Sequence, residues 1–222
     1  MTLTRRSALL APALPLLLPQ SAAAQTSFQE GKHYTRIQPA VPGTAGKVEV
    51  VEFFWYGCPA CYAFETAIQA WAQRLPAWVA FRHQHVFFRE QTRPHQRLWF
   101  TLQAMGVEHR FRGAIFAAMH AQRNPLDTPE AMIKLLQPAG LDVARFQSVW
   151  ASFDPKAFSG ARIAAANRQA AEQYKVSGVP ALAVGGRYIF TVADAADRRQ
   201  ESPIGASALR LADQLLNSLR PT

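Results

Sequence analysis

Cysteine is scarce in this chain, with two among 222 residues. A disulfide-built scaffold would need roughly 8–10% Cys, so any fold must rest on a hydrophobic core. Long apolar runs are missing too: none reaches the roughly 18 residues of a membrane-spanning helix. Charged residues make up 18%, and the Lys and Arg behind the net charge of +9 form no block beyond Arg198-Arg199. Nucleic acid is therefore not the expected partner; the basic balance suits an acidic partner or simply a basic proteome. Repeats and low-complexity stretches are absent, which excludes collagen, coiled coil and a disordered tail. What is present is 49% hydrophobic and 11% aromatic. That is enough core for one domain, or for one domain carrying an insertion.

The first 24 residues read as an address. Arg5 and Arg6 form a positive start, Ala8 to Leu18 an apolar stretch of 11 residues, and Ser21-Ala22-Ala23-Ala24 a small-residue cleavage site. A membrane anchor is the rival reading. Eleven residues are too short to cross a bilayer, and Pro12, Pro15 and Pro19 would break a long helix. Cleavage after Ala24 leaves Gln25 first. Thr4-Arg5-Arg6-Ser7 also allows a twin-arginine route, although Ala8 fits it poorly. Export predicts a compartment where disulfides persist.

Tyr34 to Ile37 predicts a short first strand. Val48 to Phe54 is nearly all apolar and β-branched, as in a central strand buried on both faces. Gly57 breaks it and Pro59 suits a helix start, with Phe64, Ile68, Trp71 and Leu75 at helical spacing before Pro76. Trp78 to Phe88 predicts another strand. From Thr92 to Arg162 the pattern is helical: Leu98, Leu102 and Met105 form one stripe closed by Gly106, and Phe111, Ile115 and Met119 a second. Thr128-Pro129-Glu130 is a helix start, Leu141 and Phe146 flank Asp142 as a hydrophobic staple, and Asp154-Pro155 opens a helix to about Tyr174. Ala181 to Val184, Gly185-Gly186 and Arg187 to Phe190 spell a tight hairpin, and Ile204 to Leu219 a last amphipathic helix. Both strand groups need one sheet, so the helical block reads as an insertion into an α/β domain. The predicted boundaries are residues 25–91 and 163–222 for the sheet domain and 92–162 for the insertion.

The two cysteines fall together in Cys58-Pro59-Ala60-Cys61. Thiols at i and i+3 share one face of a helix's first turn. The first meets free backbone N–H groups and the positive end of the helix dipole, which favour its thiolate. The second lies a turn inside. One nucleophile and one resolving thiol is a redox arrangement. Zinc needs about four ligands, and the six histidines make no HxxxH pair, although His83 and His85 share a strand face. A c-type haem would need His where Tyr62 stands. A purely structural bridge over so small a loop would remove little unfolded-state entropy.

The segment Glu52-Phe53-Phe54-Trp55-Tyr56-Gly57-Cys58-Pro59-Ala60-Cys61-Tyr62-Ala63-Phe64-Glu65 resembles the active site of the DsbA family of thiol–disulfide oxidoreductases. Gly31-Lys32-His33-Tyr34, Gly178-Val179-Pro180-Ala181 and the helical insertion resemble that family too. The resemblance implies a thioredoxin fold with an inserted helical domain. It also implies donation of a Cys58–Cys61 disulfide to reduced, newly exported proteins through a mixed disulfide at Cys58, with no cofactor beyond that disulfide. It implies reoxidation by a DsbB-type membrane partner that passes electrons to quinone. Cys61 matches the resolving thiol. Val179-Pro180 matches a cis X-Pro pair facing the cysteines, where a client strand could add to the backbone. With no spare segment for a dimerisation domain, a monomer is expected.

Glu52 interrupts the apolar strand six residues before Cys58, where a lone acid is costly to ionise. It is either an edge residue reaching solvent or, as the resemblance implies, a proton acceptor for Cys61. Two departures bear on oxidising strength. The family's best-known members carry His where Ala60 stands, so the helix dipole alone, about one pKa unit, is left to lower the Cys58 pKa. A basic residue that often pairs with the buried acid falls at His83. The alternatives kept open are a non-catalytic client-binding module and a protein working in the reductant or isomerase direction.

Overall fold

A computed structural model describes residues 28–154, 160–196 and 205–221. The expected export signal over residues 1–24, Arg198-Arg199, Pro155 and Ile204 lie outside the described residues. Five strands form one mixed sheet: β1 (Thr35–Arg36), β2 (Val48–Phe54), β3 (Val79–His85), β4 (Ala181–Val184) and β5 (Tyr188–Thr191), in the order β1-β5-β4-β2-β3. Eight α-helices are described: α1 (Pro59–Ala72), α2 (Arg93–Met105), α3 (Glu108–His120), α4 (Pro129–Leu136), α5 (Val143–Ser152), α6 (Gly160–Arg168), α7 (Val192–Ala195) and α8 (Ala206–Ser218).

The β-branched run in β2 takes the centre, as its composition predicts. It pairs in parallel with β3 from Val48↔Val79 to Phe54↔His85, and antiparallel with β4 from Val50↔Val184 to Phe53↔Ala181. Side chains alternate across it. Val50, Glu52 and Phe54 share the face covered by α1; Val51 and Phe53 pack on Tyr174 and Ala170 behind. The Gly185-Gly186 hairpin forms with both glycines left-handed (φ +61° and +62°), the signature of a type I′ turn. A Cβ on Gly186 would lie 1.9 Å from the Val41 carbonyl oxygen, so only glycine lets the hairpin close against that segment.

Helices α2–α5 sit between β3 and β4 in the chain, as the helical patterning predicts. Gly106 ends α2 at φ +74°. Thr128 Oγ1 accepts from the Ala131 N–H at 3.2 Å to start α4, and Asp142 accepts from the Arg145 N–H to start α5. Their apolar stripes close on Phe54, Tyr56, Cys58 and Cys61, so the thiols sit where the insertion meets the sheet domain. This is the thioredoxin fold with an inserted helical domain.

Several local expectations are corrected. The helix expected to reach Leu75 ends at Ala72, and the strand expected over Trp78 to Phe88 is Val79–His85. Toward Tyr174, α6 widens into a π-helical turn over Gln169–Gln173, with the Tyr174 N–H donating to the Gln169 carbonyl five residues back. The short α7, started by a reciprocal Thr191–Asp194 capping box, was not legible as a separate helix.

Candidate active site

The turn between β2 and α1 is built by Trp55, Tyr56 and Gly57. The Cys58 N–H donates to the Trp55 carbonyl at 3.0 Å. A Cβ on Gly57 would meet the Trp55 ring at 2.4 Å, so the chain passes the indole only as glycine. The indole is fixed in turn, its Nε1–H donating to His95 Nδ1 at 2.9 Å while His95 Nε2–H donates to the Pro125 carbonyl at 2.7 Å. His120, at the end of α3, holds the Tyr56 carbonyl at 2.8 Å and stacks on Tyr62.

Cys58 is the N-cap of α1, with Pro59 first in the helix. Pro59 and Ala60 are exposed. The two thiols differ as the sequence predicts: Cys58 is 9% exposed and Cys61 is sealed at 0%. The Cys61 thiol stabilises the Cys58 thiolate as a hydrogen-bond donor. With the backbone N–H groups of Cys61 and Ala60, it outweighs burial and lowers the Cys58 pKa to about 6. That exceeds the expected single unit. The dipole is only part of the cause, because a directed thiol and two amides do what the imidazole missing at position 60 cannot. Burial, donation to Cys58 and the nearby charges of Cys58 and Glu52 push the Cys61 pKa far up.

Across from the pair, the Val179–Pro180 bond is cis and Cys58 Sγ donates to the Val179 carbonyl at 3.5 Å. Gln38–Pro39 is also cis.

Glu52 is fully buried, which overturns the edge reading. It is not a lone acid either. Arg112 Nη2 reaches its Oε2 at 3.2 Å, and His83 Nδ1 meets the same oxygen at 2.5 Å. Arg112 also holds Glu65 Oε1 with Nε at 2.7 Å and Glu108 Oε1 with Nη1 at 3.3 Å. Its guanidinium lies 4.0 Å from the Phe54 ring centroid. Burial opposes the Arg112 charge, and the three carboxylates more than offset it, so its pKa is raised. Glu108 accepts in addition from the Tyr56 hydroxyl at 2.6 Å. Glu52 Oε1 is buried and has no hydrogen-bond partner among the described residues.

The sequence reading missed Arg112, Glu65, Glu108 and Tyr56. One signal was there to find. Glu108, Arg112, Ile115 and Met119 fall on one helical face, so a charged pair interrupts a stripe that otherwise reads as core. His83 and His85 do not join a metal site. His85 Nδ1 bonds the Val86 carbonyl and burial holds its pKa well down. Among the described residues no group of three or more His, Cys, Asp or Glu is placed to hold a metal.

A thioredoxin-type sheet with two unequal thiols at the start of its first long helix defines a thiol–disulfide oxidoreductase. Comparison with known proteins narrows the class. A sequence model of the DSBA-like thioredoxin domain matches residues 49–201. The thiol:disulfide interchange protein DsbA of Pseudomonas aeruginosa is 38% identical over 200 residues, 90% of this chain and 89% of that protein. That of Azotobacter vinelandii is 38% identical over 191 residues, 86% and 84% of the two chains. The crystal structure of P. aeruginosa DsbA superposes with a TM-score of 0.77 at 36% identity, covering 87% of this chain and 95% of that one. DsbA of Xylella fastidiosa gives 0.71 at 27% identity, covering 84% and 95%. The chain belongs to the DsbA-like thioredoxin family, and its chemistry is that of a protein dithiol:disulfide oxidoreductase.

Proposed function

We propose that the protein works in the periplasm as a donor of disulfides to reduced exported proteins, after removal of Met1 to Ala24. The observation that carries this reading is the inequality of the two thiols: Cys58 lowered to about 6 and Cys61 buried and pushed up. A client thiolate attacks Cys58 sulfur of the oxidised pair. The Cys58–Cys61 bond breaks, Cys61 leaves and takes a proton from Glu52, and a mixed disulfide remains at Cys58. A second client thiolate attacks the client sulfur and expels Cys58 as a thiolate. The Cys58 that leaves is a stabilised anion, which favours the donor direction. The client backbone pairs beside Val179, in the manner of strand addition. Pro59 and Ala60 shape the turn, and Pro180 fixes the backbone facing it. Reoxidation falls to a DsbB-type membrane partner that passes the electrons to quinone. Residues 25–91 and 163–222 serve as the reacting domain and residues 92–162 as its cover.

Oxidation of a reduced two-cysteine peptide tests the reading. Wild-type protein oxidises it with one equivalent of disulfide, and Cys58→Ser abolishes this. Peptide binding that survives Cys58→Ser with no exchange in wild type would instead mark a non-catalytic binding module. Poise against glutathione gives the direction: an equilibrium far toward dithiol supports a donor, and one far toward disulfide a reductant.

A further inference from the structure

The proposed role of Glu52 leaves a problem that the geometry answers. A carboxyl at 0% exposure that gives Cys61 a proton must recover it, and Glu52 has no contact with water. Its Oε2 touches Arg112, whose guanidinium is 4% exposed and does not exchange protons near neutral pH. It also touches His83, whose side chain is 14% exposed and lies on β3 directly opposite Glu52 in the register. Of these two partners the imidazole is the more exposed, and it is the one whose chemistry allows proton exchange with water near neutral pH.

We propose that His83 is the proton relay between Glu52 and solvent, a role that rests on the reading of Glu52 as the proton partner of Cys61. His83 acts through Glu52 and does not meet the sulfurs. Its resting tautomer follows from its other nitrogen. The Gln69 amide nitrogen donates to Glu65 Oε1 at 3.0 Å and to His83 Nε2 at 3.1 Å. Nε2 is therefore the acceptor, and the ring proton sits on Nδ1, against Glu52.

The relay balances as follows. Water supplies a proton to His83 Nε2 as the Gln69 amide turns away, and the Nδ1 proton moves to Glu52 Oε2. Protonation removes the charge that holds the carboxyl to Arg112, so it turns about its Cγ–Cδ bond and delivers that proton to the departing Cys61 thiolate. The ring then swings clear of Glu52, loses its Nε2 proton to water and gains one from water on Nδ1 before it returns, with no net change of charge. One proton has passed from water to Cys61. Reoxidation, which must strip the Cys61 thiol, runs the same steps backward. The ring meets Glu52 from β2 and Gln69 from α1, with Phe54 and Phe81 packing edge-on, and these polar partners are held in turn by Glu65 of α1 and Arg112 of α3. Arg112 pins the carboxylates of Glu52 and Glu65, so Glu52 Oε1 stays free.

His83→Phe keeps the ring volume and removes both nitrogens. Its turnover of a two-cysteine peptide is expected to fall on the order of 10²-fold, the usual worth of a positioned proton-transfer group. Its equilibrium with glutathione is expected to stay within about twofold, because a relay changes rate and not poise. Added imidazole is expected to restore part of the rate, while a non-coordinating buffer of the same pH leaves it low. Should His83→Phe fail to fold, His83→Gln, which keeps an amide donor toward Glu52, carries the same assay. Turnover within twofold of wild type overturns the relay, as does a loss that imidazole does not repair and that comes with a shifted equilibrium. Glu52→Gln in parallel separates the layers. If it slows turnover and His83→Phe does not, only the relay fails; if neither slows it, the role of Glu52 fails as well.

Discussion

Arg112 reaches out of α3, in the helical insertion, to place its Nη2 3.2 Å from Glu52 Oε2 in the central strand of the sheet domain. The cation that pairs with the buried acid is thus contributed by the insertion, beside the imidazole of His83. Packing of the insertion and charge at the redox site are one and the same contact. Removing Arg112 would leave the buried Glu52 and Glu108 and the half-buried Glu65 without their shared cation.

Arg112→Met is therefore expected to destabilise the protein by about 3–5 kcal/mol, the usual result of stripping one partner from a buried ion pair. Arg112→Lys, which retains charge but not the three-way fork, should recover part of it. Urea unfolding of both variants measures this. A loss below about 1 kcal/mol for Arg112→Met would show that the carboxylates are already neutral without it.

Glu52→Gln is expected to slow release of mixed disulfides by attack of Cys61, the step in which Cys61 must give up its proton, on the order of 10²-fold while the fold persists, since Arg112 keeps Glu65 and Glu108. Quenched-flow trapping of the mixed disulfide checks it. Unchanged release would remove Glu52 from the proton path.

Stability of the reduced protein should depend on pH with a fixed sign. An unperturbed thiol titrates at 9.0 and folded Cys58 at about 6. Between those values the unfolded chain binds more protons, so stability rises with pH from about 6 toward 9 and is lost as pH falls through about 6. Cys61, pushed up, opposes this only once the unfolded thiol ionises near 9.0. The oxidised protein has no free thiol. The melting temperature of the reduced form relative to the oxidised form should thus climb between pH 6 and 8 and level off below 6. A pH-independent difference would contradict the lowered Cys58 pKa.

Ala60→His adds an imidazole on the exposed first turn of α1, beside the Cys58 thiolate. It is expected to lower the Cys58 pKa further and to raise the reduction potential by about 30 mV for each 1.4 kcal/mol of added thiolate stabilisation. Equilibration with glutathione measures it. An unchanged potential would mean that the Cys61 thiol and the two amides already saturate the site.

The sheet and the thiol turn were legible because local patterns carry them. Val48 to Phe54 can hardly be other than a central strand, Gly185-Gly186 spells a hairpin, and Cys58-Pro59-Ala60-Cys61 states its chemistry. The Arg112 cluster was not legible, because Glu52, Glu65 and Arg112 lie in three segments that only the fold brings together. The same reason explains the low estimate of thiolate stabilisation. A helix dipole can be counted from sequence, but a thiol aimed at a neighbouring sulfur cannot. The π-helical turn leads into Tyr174, whose ring packs on Phe53 of the distant central strand, a contact that no local pattern announces.

The central claim is the inequality of Cys58 and Cys61, and brief alkylation of the reduced protein across pH 4 to 10, read by peptide mass mapping, tests it most directly. Labelling is predicted at Cys58 with a midpoint near the lowered value of about 6, and Cys61 is predicted to stay unlabelled across that range. Labelling of Cys61 ahead of Cys58, or a Cys58 midpoint near the unperturbed 9.0, would contradict it.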